Sequence, residues 1–145
     1  MDDAIAKKPP ILLDKIDTNM WTEPFWEAAK RHELAIPRCA SCSHFRMPPT
    51  PFCPECQSQS LDWVVIPGNG IVFSYTVVTR AIIQGMEDDL PYVPAVIELP
   101  EAGGTRLITN IIDCPLSAIT VGAPCEVVWN DVPSGYTLPL FRLSI

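Results

Sequence analysis

Histidine is scarce in this 145-residue chain: there are two, His32 and His44, and both precede residue 67. The second half therefore holds no imidazole to act as base for Cys114, Cys125 or any of its serines. Ser74, Ser117, Ser134 and Ser144 show no Gly-x-Ser-x-Gly elbow. A phosphate loop, a dinucleotide fingerprint and a His-Glu-x-x-His pattern are also missing. Cys114 stands beside Asp113, and a neighbouring carboxylate raises a thiol's pKa, so both late cysteines read as buried and inert. Glu87-Asp88-Asp89 lacks the spacing of a calcium loop and reads as a solvated tip. Alone, the sequence does not read as a catalyst.

Long apolar runs are lacking too. None approaches eighteen residues, and the start, MDDAIAKKPP, is acidic and then proline-rich with no apolar signal core. The expectation is a soluble, cytoplasmic protein with no membrane association. Positive charge is thin where it would matter for nucleic acid. Met1 to Cys56 carries seven basic and eight acidic side chains, but from Gln57 onward Arg80, Arg106 and Arg142 face nine carboxylates. Phosphate neutralisation supplies most non-specific nucleic-acid affinity, so this half would repel a polynucleotide despite Phe73, Tyr75, Tyr92, Trp129, Tyr136 and Phe141. An oligonucleotide-binding module is thus the weaker alternative.

Cysteine is present in a pattern. Cys39 and Cys42, then Cys53 and Cys56, form two Cys-x-x-Cys pairs separated by ten residues. A two-residue gap turns both thiolates of a pair onto one ion, and the longer gap brings the second pair round to complete a tetrahedron. Pro54 stiffens the second knuckle, and Met47-Pro48-Pro49-Thr50-Pro51 keeps the connection extended. Structural Zn²⁺ is the favoured reading. The same ligands would suit a rubredoxin-like iron electron carrier, and disulfides would require an oxidising compartment. Ser43 and Gln57 occupy places where a knuckle usually carries glycine to reach positive φ. With four thiolates and one Zn²⁺ included, the formal charge of −7 becomes about −9.

Three units follow: a tail and helix over 1–33, a zinc ribbon over 34–66, and a barrel over 67–145. Met1 to Met20, with Pro9-Pro10 and Ile11-Leu12-Leu13, reads as a mobile tail, either simply disordered or ordered against another subunit. Thr22 to Arg31 reads as a helix capped by Thr22, with Phe25, Ala28 and Ala29 on one apolar stripe. Leu34–Ile36 and Leu61–Val65 are predicted as ribbon strands, and Pro67-Gly68-Asn69-Gly70 as the turn that ends the ribbon. Five further strands are predicted at Ile71–Thr79, Ala95–Leu99, Arg106–Ile112, Pro124–Asp131 and Leu140–Ile145. Between the third and fourth, Asp113–Gly122 leaves room for a helical turn. The fold class is mainly β: an N-terminal helix, a rubredoxin-like zinc ribbon and a C-terminal five-stranded OB-fold barrel. A hydrophobic content of 48% in so small a chain points to an apolar patch offered to a partner. Lys30, Arg31, Arg38 and Arg46 form the only local basic cluster, which reads either as a solvated face or as a contact for the phosphates of a nucleotide-bearing thioester such as a CoA ester.

Several blocks together are similar to a known family. They are Pro24-Phe25-Trp26-Glu27-Ala28, Leu34 to Cys42, Pro48-Pro49, Cys53-Pro54-Glu55-Cys56, Gly68 to Val78, Pro91 to Leu99, and Val121 to Val127. The order resembles that of small acyl-CoA-associated proteins built from N-terminal helices, a rubredoxin-like zinc ribbon and an OB fold. Ser43 in place of glycine and the loop Arg80–Leu90 depart from the pattern. The resemblance implies an accessory subunit of a thiolase-superfamily enzyme that makes or breaks C–C bonds in acyl-CoA thioesters, as thiolases, acyltransferases and retro-aldolases do. It also implies a hetero-oligomer in which the partner carries the nucleophile and the acid/base residues.

Overall fold

The computed structural model describes residues 3–10 and 15–144; the apolar run Ile11–Leu13 and the end of the last predicted strand, Ile145, lie outside them. One helix, α1 (Glu23–Lys30), opens the ordered elements. It buries Phe25, Ala28 and Ala29, the stripe expected from their spacing. Thr22 stands at its N-cap without a side-chain capping bond; instead Asn19 Oδ1 accepts the N–H groups of Trp21 and Thr22 at 2.9 and 3.0 Å. Arg31 caps the helix's C-terminus, and the next residue, His32, turns the chain back with a φ of 58° while its N–H reaches Ala29 O.

Strands β1 (Leu34–Cys39) and β2 (Leu61–Ile66) form an antiparallel pair in register Leu34↔Ile66 through Cys39↔Leu61. Five strands follow and close into a barrel: β3 (Asn69–Tyr75), β4 (Val93–Leu99), β5 (Thr105–Ile111), β6 (Pro124–Asp131) and β7 (Thr137–Leu143). Their order around the barrel is β3-β4-β5-β7-β6, with β3 pairing β6 to seal it. Alternation fills the inside: Val93, Ala95, Ile97 and Leu99 of β4 and Leu107, Thr109 and Ile111 of β5 point inward, around Val72, Cys125 and Phe141. Leu34, Ile36 and Ile66 of the ribbon and Phe25 of α1 belong to the same apolar cluster, so ribbon and barrel share one core.

Three differences from the sequence reading have simple causes. Asn69 and Gly70 are not turn residues but the first residues of β3, paired with Glu126 and Cys125. Gly70 is there because of crowding: a Cβ would lie 2.4 Å from Ile97 Cγ2 and 3.3 Å from Cys125 Sγ. Strands β4 and β7 begin earlier than expected because Pro94 and Pro139 are accommodated within them, opposite Asn110 and Trp129. A bulge between Val72 and Ser74, which the sequence reading did not include, shifts the register of β3 against β4; Phe73 is exposed there, and the Tyr75 hydroxyl donates to Ile119 O at 3.1 Å.

Residues 3–10 of the tail order on the chain's own barrel. Ala6 N–H donates to Cys114 O and Asp113 N–H to Ala6 O, both at 2.9 Å, while Leu116 N–H reaches Ala4 O at 3.0 Å. Asp3 accepts from the Ser117 hydroxyl, and Ala6 is fully buried. These backbone bonds replace the disorder or the external subunit expected there. The Asp113–Gly122 connection carries a short 3₁₀ turn, Leu116–Ala118.

The crowding at Gly70 gives a direct test. Gly70→Ala is expected to destabilise the protein by about 1–3 kcal/mol, the usual cost of overpacking a core, read as a lower urea midpoint with an unchanged m-value.

Candidate metal centre

The two knuckles repeat one backbone device. In the first, Cys39 N–H donates to His44 O at 2.8 Å and Ser43 N–H to Cys39 O at 2.9 Å; in the second, Cys53 N–H donates to Ser58 O and Gln57 N–H to Cys53 O, both at 2.9 Å. Ser43 and Gln57 take φ of 66° and 62°, the left-handed conformation that their places in the knuckle demand. The four sulfurs converge, all within 4.8 Å of one another, with Cys39–Cys56 and Cys42–Cys53 each at 3.6 Å. Tetrahedral coordination at a Zn–S bond near 2.3 Å requires sulfurs about 3.8 Å apart, so the group fits the ion. Cys39 and Cys53 are buried and Cys42 and Cys56 exposed, as for a site at the tip of a ribbon.

Backbone N–H groups aim at the sulfurs, and this is the chemistry a thiolate needs. The Cys42 N–H, working against burial, brings the Cys39 thiol down to about 6. For Cys53 burial opposes ionisation, yet the N–H groups of Cys56 and Glu55 hold the thiol below its ordinary value. Cys42 goes the other way: its His44 N–H lowers it, but burial and the adjoining sulfurs push it up to about 12. Cys56 is also raised, by the Cys39 sulfur and burial, although the Ser58 N–H lowers it. Hydrogen bonding and burial thus lower two of the thiols and raise the other two. A dication at their centre reverses that balance and makes all four anionic.

The remaining predicted residues sit as follows. His44 is exposed and enters the knuckle only through its backbone. Lys30 lies beside Glu27 at 3.4 Å, Arg31 beside Glu33 at 3.4 Å, and Arg38 opposite Asp62 at 4.0 Å. These three have partly exposed side chains, whereas Arg46 is buried. Cys114 is raised by burial and then by Asp113 and Asp3, and burial pushes Cys125 up to about 11; both line the apolar interior. Glu87–Asp89 form an exposed 3₁₀ turn.

His32 has a structural task. Its Nε2 lies 3.3 Å from Asp131 Oδ1 and its ring stacks on Trp129 at 5.7 Å, joining the helix end to β6. The Thr137 hydroxyl donates to the same Asp131 oxygen at 2.6 Å and, with His32, lowers that carboxyl's pKa. A depressed carboxylate adds stability above its unfolded value, about 3.9, and that stability is lost as pH falls through the folded value. Thr137→Val is therefore expected to lower the urea midpoint at pH 7 and to converge with the parent protein near pH 2. Curves separated equally at both pH values would contradict the assignment.

Sequence reasoning missed one surface feature. On the outer face of the barrel Ile108 of β5 is 83% exposed, directly opposite Val96 of β4, with Phe73 exposed nearby under the Arg106 guanidinium at 3.7 Å. Ser74, Tyr75, Thr76 and Pro94 extend this face into a shallow apolar groove. The available signal was Ile108 itself, a large apolar residue in the outward register of Arg106 and Asn110. Among the described residues no helix is long and apolar enough to cross a membrane.

Comparison with known proteins agrees with this architecture. Residues 26–62 match the family model for the ChsH2 rubredoxin-like zinc ribbon domain, and residues 63–130 that for the ChsH2 C-terminal OB-fold domain. A probable enoyl-CoA hydratase alpha subunit of Thermomonospora curvata is 38% identical over 139 residues, 96% of this chain; the chain spans only 42% of that protein's length. A DUF35 domain-containing scaffold protein of Methanothermobacter thermautotrophicus is 32% identical over 104 residues, 71% of this chain and 76% of the relative. Among solved structures, a chain of the Ltp2-ChsH2(DUF35) aldolase superposes with a TM-score of 0.81 at 38% identity, covering 90% of this chain and all of that one.

Proposed function

The chain belongs to the DUF35 family built from the ChsH2 zinc ribbon and OB-fold domains, and from that premise we propose that it is a non-catalytic scaffold subunit. Its partner in this proposal is a thiolase-superfamily enzyme acting on acyl-CoA thioesters, of aldolase, thiolase or acyltransferase type, in a cytoplasmic hetero-oligomer. The observation that carries the reading is the distribution of reactive groups. The four accessible or knuckle thiols are committed to one centre, the two barrel thiols are buried and raised, and His32 is engaged with Asp131. No described cysteine, serine or threonine side chain is hydrogen-bonded to a histidine; the Ser117 and Thr137 hydroxyls donate to carboxylates, those of Asp3 and Asp131. Chemistry on a thioester would then need residues from another chain.

The zinc ion in this reading is structural: Cys39, Cys42, Cys53 and Cys56 would hold it, and it would fix the ribbon. The barrel would present its Phe73, Val96 and Ile108 face to the partner, close one side of its thioester pocket and keep water out. Lys30, Arg31 and Arg38, the accessible members of the basic cluster, would meet the phosphates of CoA. Co-purification tests the proposal: a tagged chain expressed with its native partner should elute as a stoichiometric complex with a catalytic subunit. Elution alone at the monomer mass, with the partner present, would count against it. The phosphate contacts are tested separately. Lys30→Glu with Arg31→Glu is expected to raise the complex's KM for the thioester several-fold with kcat little changed, and an unchanged KM removes that role.

A further inference from the structure

Arg46 is the only charged residue buried among the described ones, at 3% exposure. Its backbone belongs to the first knuckle: Arg46 N–H donates to Pro37 O at 2.9 Å, one rung from the bond between Cys39 N–H and His44 O. Its side chain belongs to the second. Nη1 lies 3.4 Å from Ser58 O, the same carbonyl that accepts the Cys53 N–H at 2.9 Å. The residue thus joins the two halves of the centre, its backbone bonded beside the first knuckle and its guanidinium one carbonyl away from the backbone of Cys53 in the second. Its Nε and Nη2 have no hydrogen-bond partner.

Burying a cation with two nitrogens unpaired is unfavourable unless an anion lies close by. The neighbouring carboxylates do not serve: Asp62 faces Arg38, and Glu55 is exposed at the knuckle surface. Four thiolates around one Zn²⁺, by contrast, carry a net charge of −2 between the two knuckles that Arg46 joins. Arg38 also has a buried Nε without a partner, but its head is partly exposed, faces Asp62 and lies over the Phe45 ring at 5.9 Å, so its charge is met by a carboxylate and by water.

We propose that Arg46 is the internal counter-cation of the metal centre, offsetting the negative charge of the filled tetrathiolate and holding the second knuckle against the first. The proposal rests on the zinc reading of the four cysteines. It also gives the buried arginine a task other than contact with a thioester phosphate.

The test uses the full chain in its Zn²⁺ and Co²⁺ forms, with Arg46→Met, Arg46→Lys and Arg38→Met. One readout is the rate of zinc transfer to the chromogenic chelator 4-(2-pyridylazo)resorcinol; the other is the sulfur-to-cobalt charge-transfer band. Arg46→Met should release zinc about tenfold faster or more, the usual penalty for removing an outer partner of a metal ligand. Its cobalt band should move to longer wavelength, because the thiolates lose their compensating charge. Arg46→Lys should keep the band and most of the retention, and Arg38→Met should match the parent. A role in packing alone predicts the reverse order, since methionine fills the space without a buried charge.

Parent-like release and an unmoved band in Arg46→Met would overturn the proposal, as would a lysine variant displaced as far as the methionine one. Should Arg46→Met fail to fold, the band of Arg46→Lys decides: unshifted supports the counter-cation, shifted refutes it. A parent chain that takes up neither ion would instead remove the zinc reading, and the proposal with it.

Discussion

Cys53→Ser is expected to release the metal and unfold the ribbon. Cys53 is fully buried, and serine's hydroxyl neither ionises near neutral pH nor bonds zinc as thiolate does. The loss should not stay local. Leu34, Ile36 and Ile66 from the ribbon strands pack into the cluster that contains Val72, Ile97 and Phe141 of the barrel. Small zinc modules draw on the order of 10 kcal/mol from their metal, comparable to the whole stability of a domain this size. The variant should therefore melt without a cooperative transition and be cut by protease between residues 34 and 66. Prolonged chelation of the parent protein should give the same pattern, reversed by Zn²⁺. A variant with the parent's melting curve would show that the ribbon stands without its ion.

Ile108→Asp carries the second large expectation, on assembly rather than stability. The side chain is almost fully exposed on the barrel's outer face, so the free chain should keep its melting temperature within the range of ordinary surface substitutions, about 0.5 kcal/mol. If that face docks on the partner, a carboxylate placed at its centre must be desolvated without a counter-charge. A cost of about 2 kcal/mol or more is typical at the core of an interface and corresponds to a roughly thirty-fold or greater rise in Kd. Titration calorimetry or gel filtration of the complex would show it. Arg142→Ala is the matched control, on β7 and paired with Glu126 of β6. It should leave the complex intact; equal affinity of all three proteins would place the interface elsewhere.

Much of the fold was legible because local chemistry and global packing agree here. The spacing of Cys39, Cys42, Cys53 and Cys56 marked the ribbon, and runs rich in Val, Ile, Thr and aromatics between Gly- and Pro-containing breakers marked the barrel strands. Even the unusual Ser43 and Gln57 declared themselves, since a knuckle dictates positive φ whatever residue supplies it. What escaped depended on distant partners. Gly70 looks like a turn residue until Ile97 and Cys125 are brought against it. Pro94 and Pro139 look like strand breakers, yet both are accommodated within paired strands. The tail's partners, Cys114 and Leu116, lie over a hundred residues away in sequence, so nothing near Ala6 announces them.

The site was legible by half for the same reason. Ligand spacing is a local property and was read directly. Burial is not: Arg46 shares its residue type with Arg38 and Arg31, and only the closing of the second knuckle over it separates a buried guanidinium from a surface one. The outward apolar face was anticipated only as an excess of hydrophobic residues, because the register that brings Phe73, Val96 and Ile108 onto one face is set by pairing between strands distant in sequence.

The most direct measurement is thioester turnover by this chain alone, by its catalytic partner alone, and by the two mixed at equal concentration. No turnover by the isolated chain and full activity only in the mixture is the expected result. Turnover by this chain unaided, or a partner fully active without it, would contradict the scaffold role.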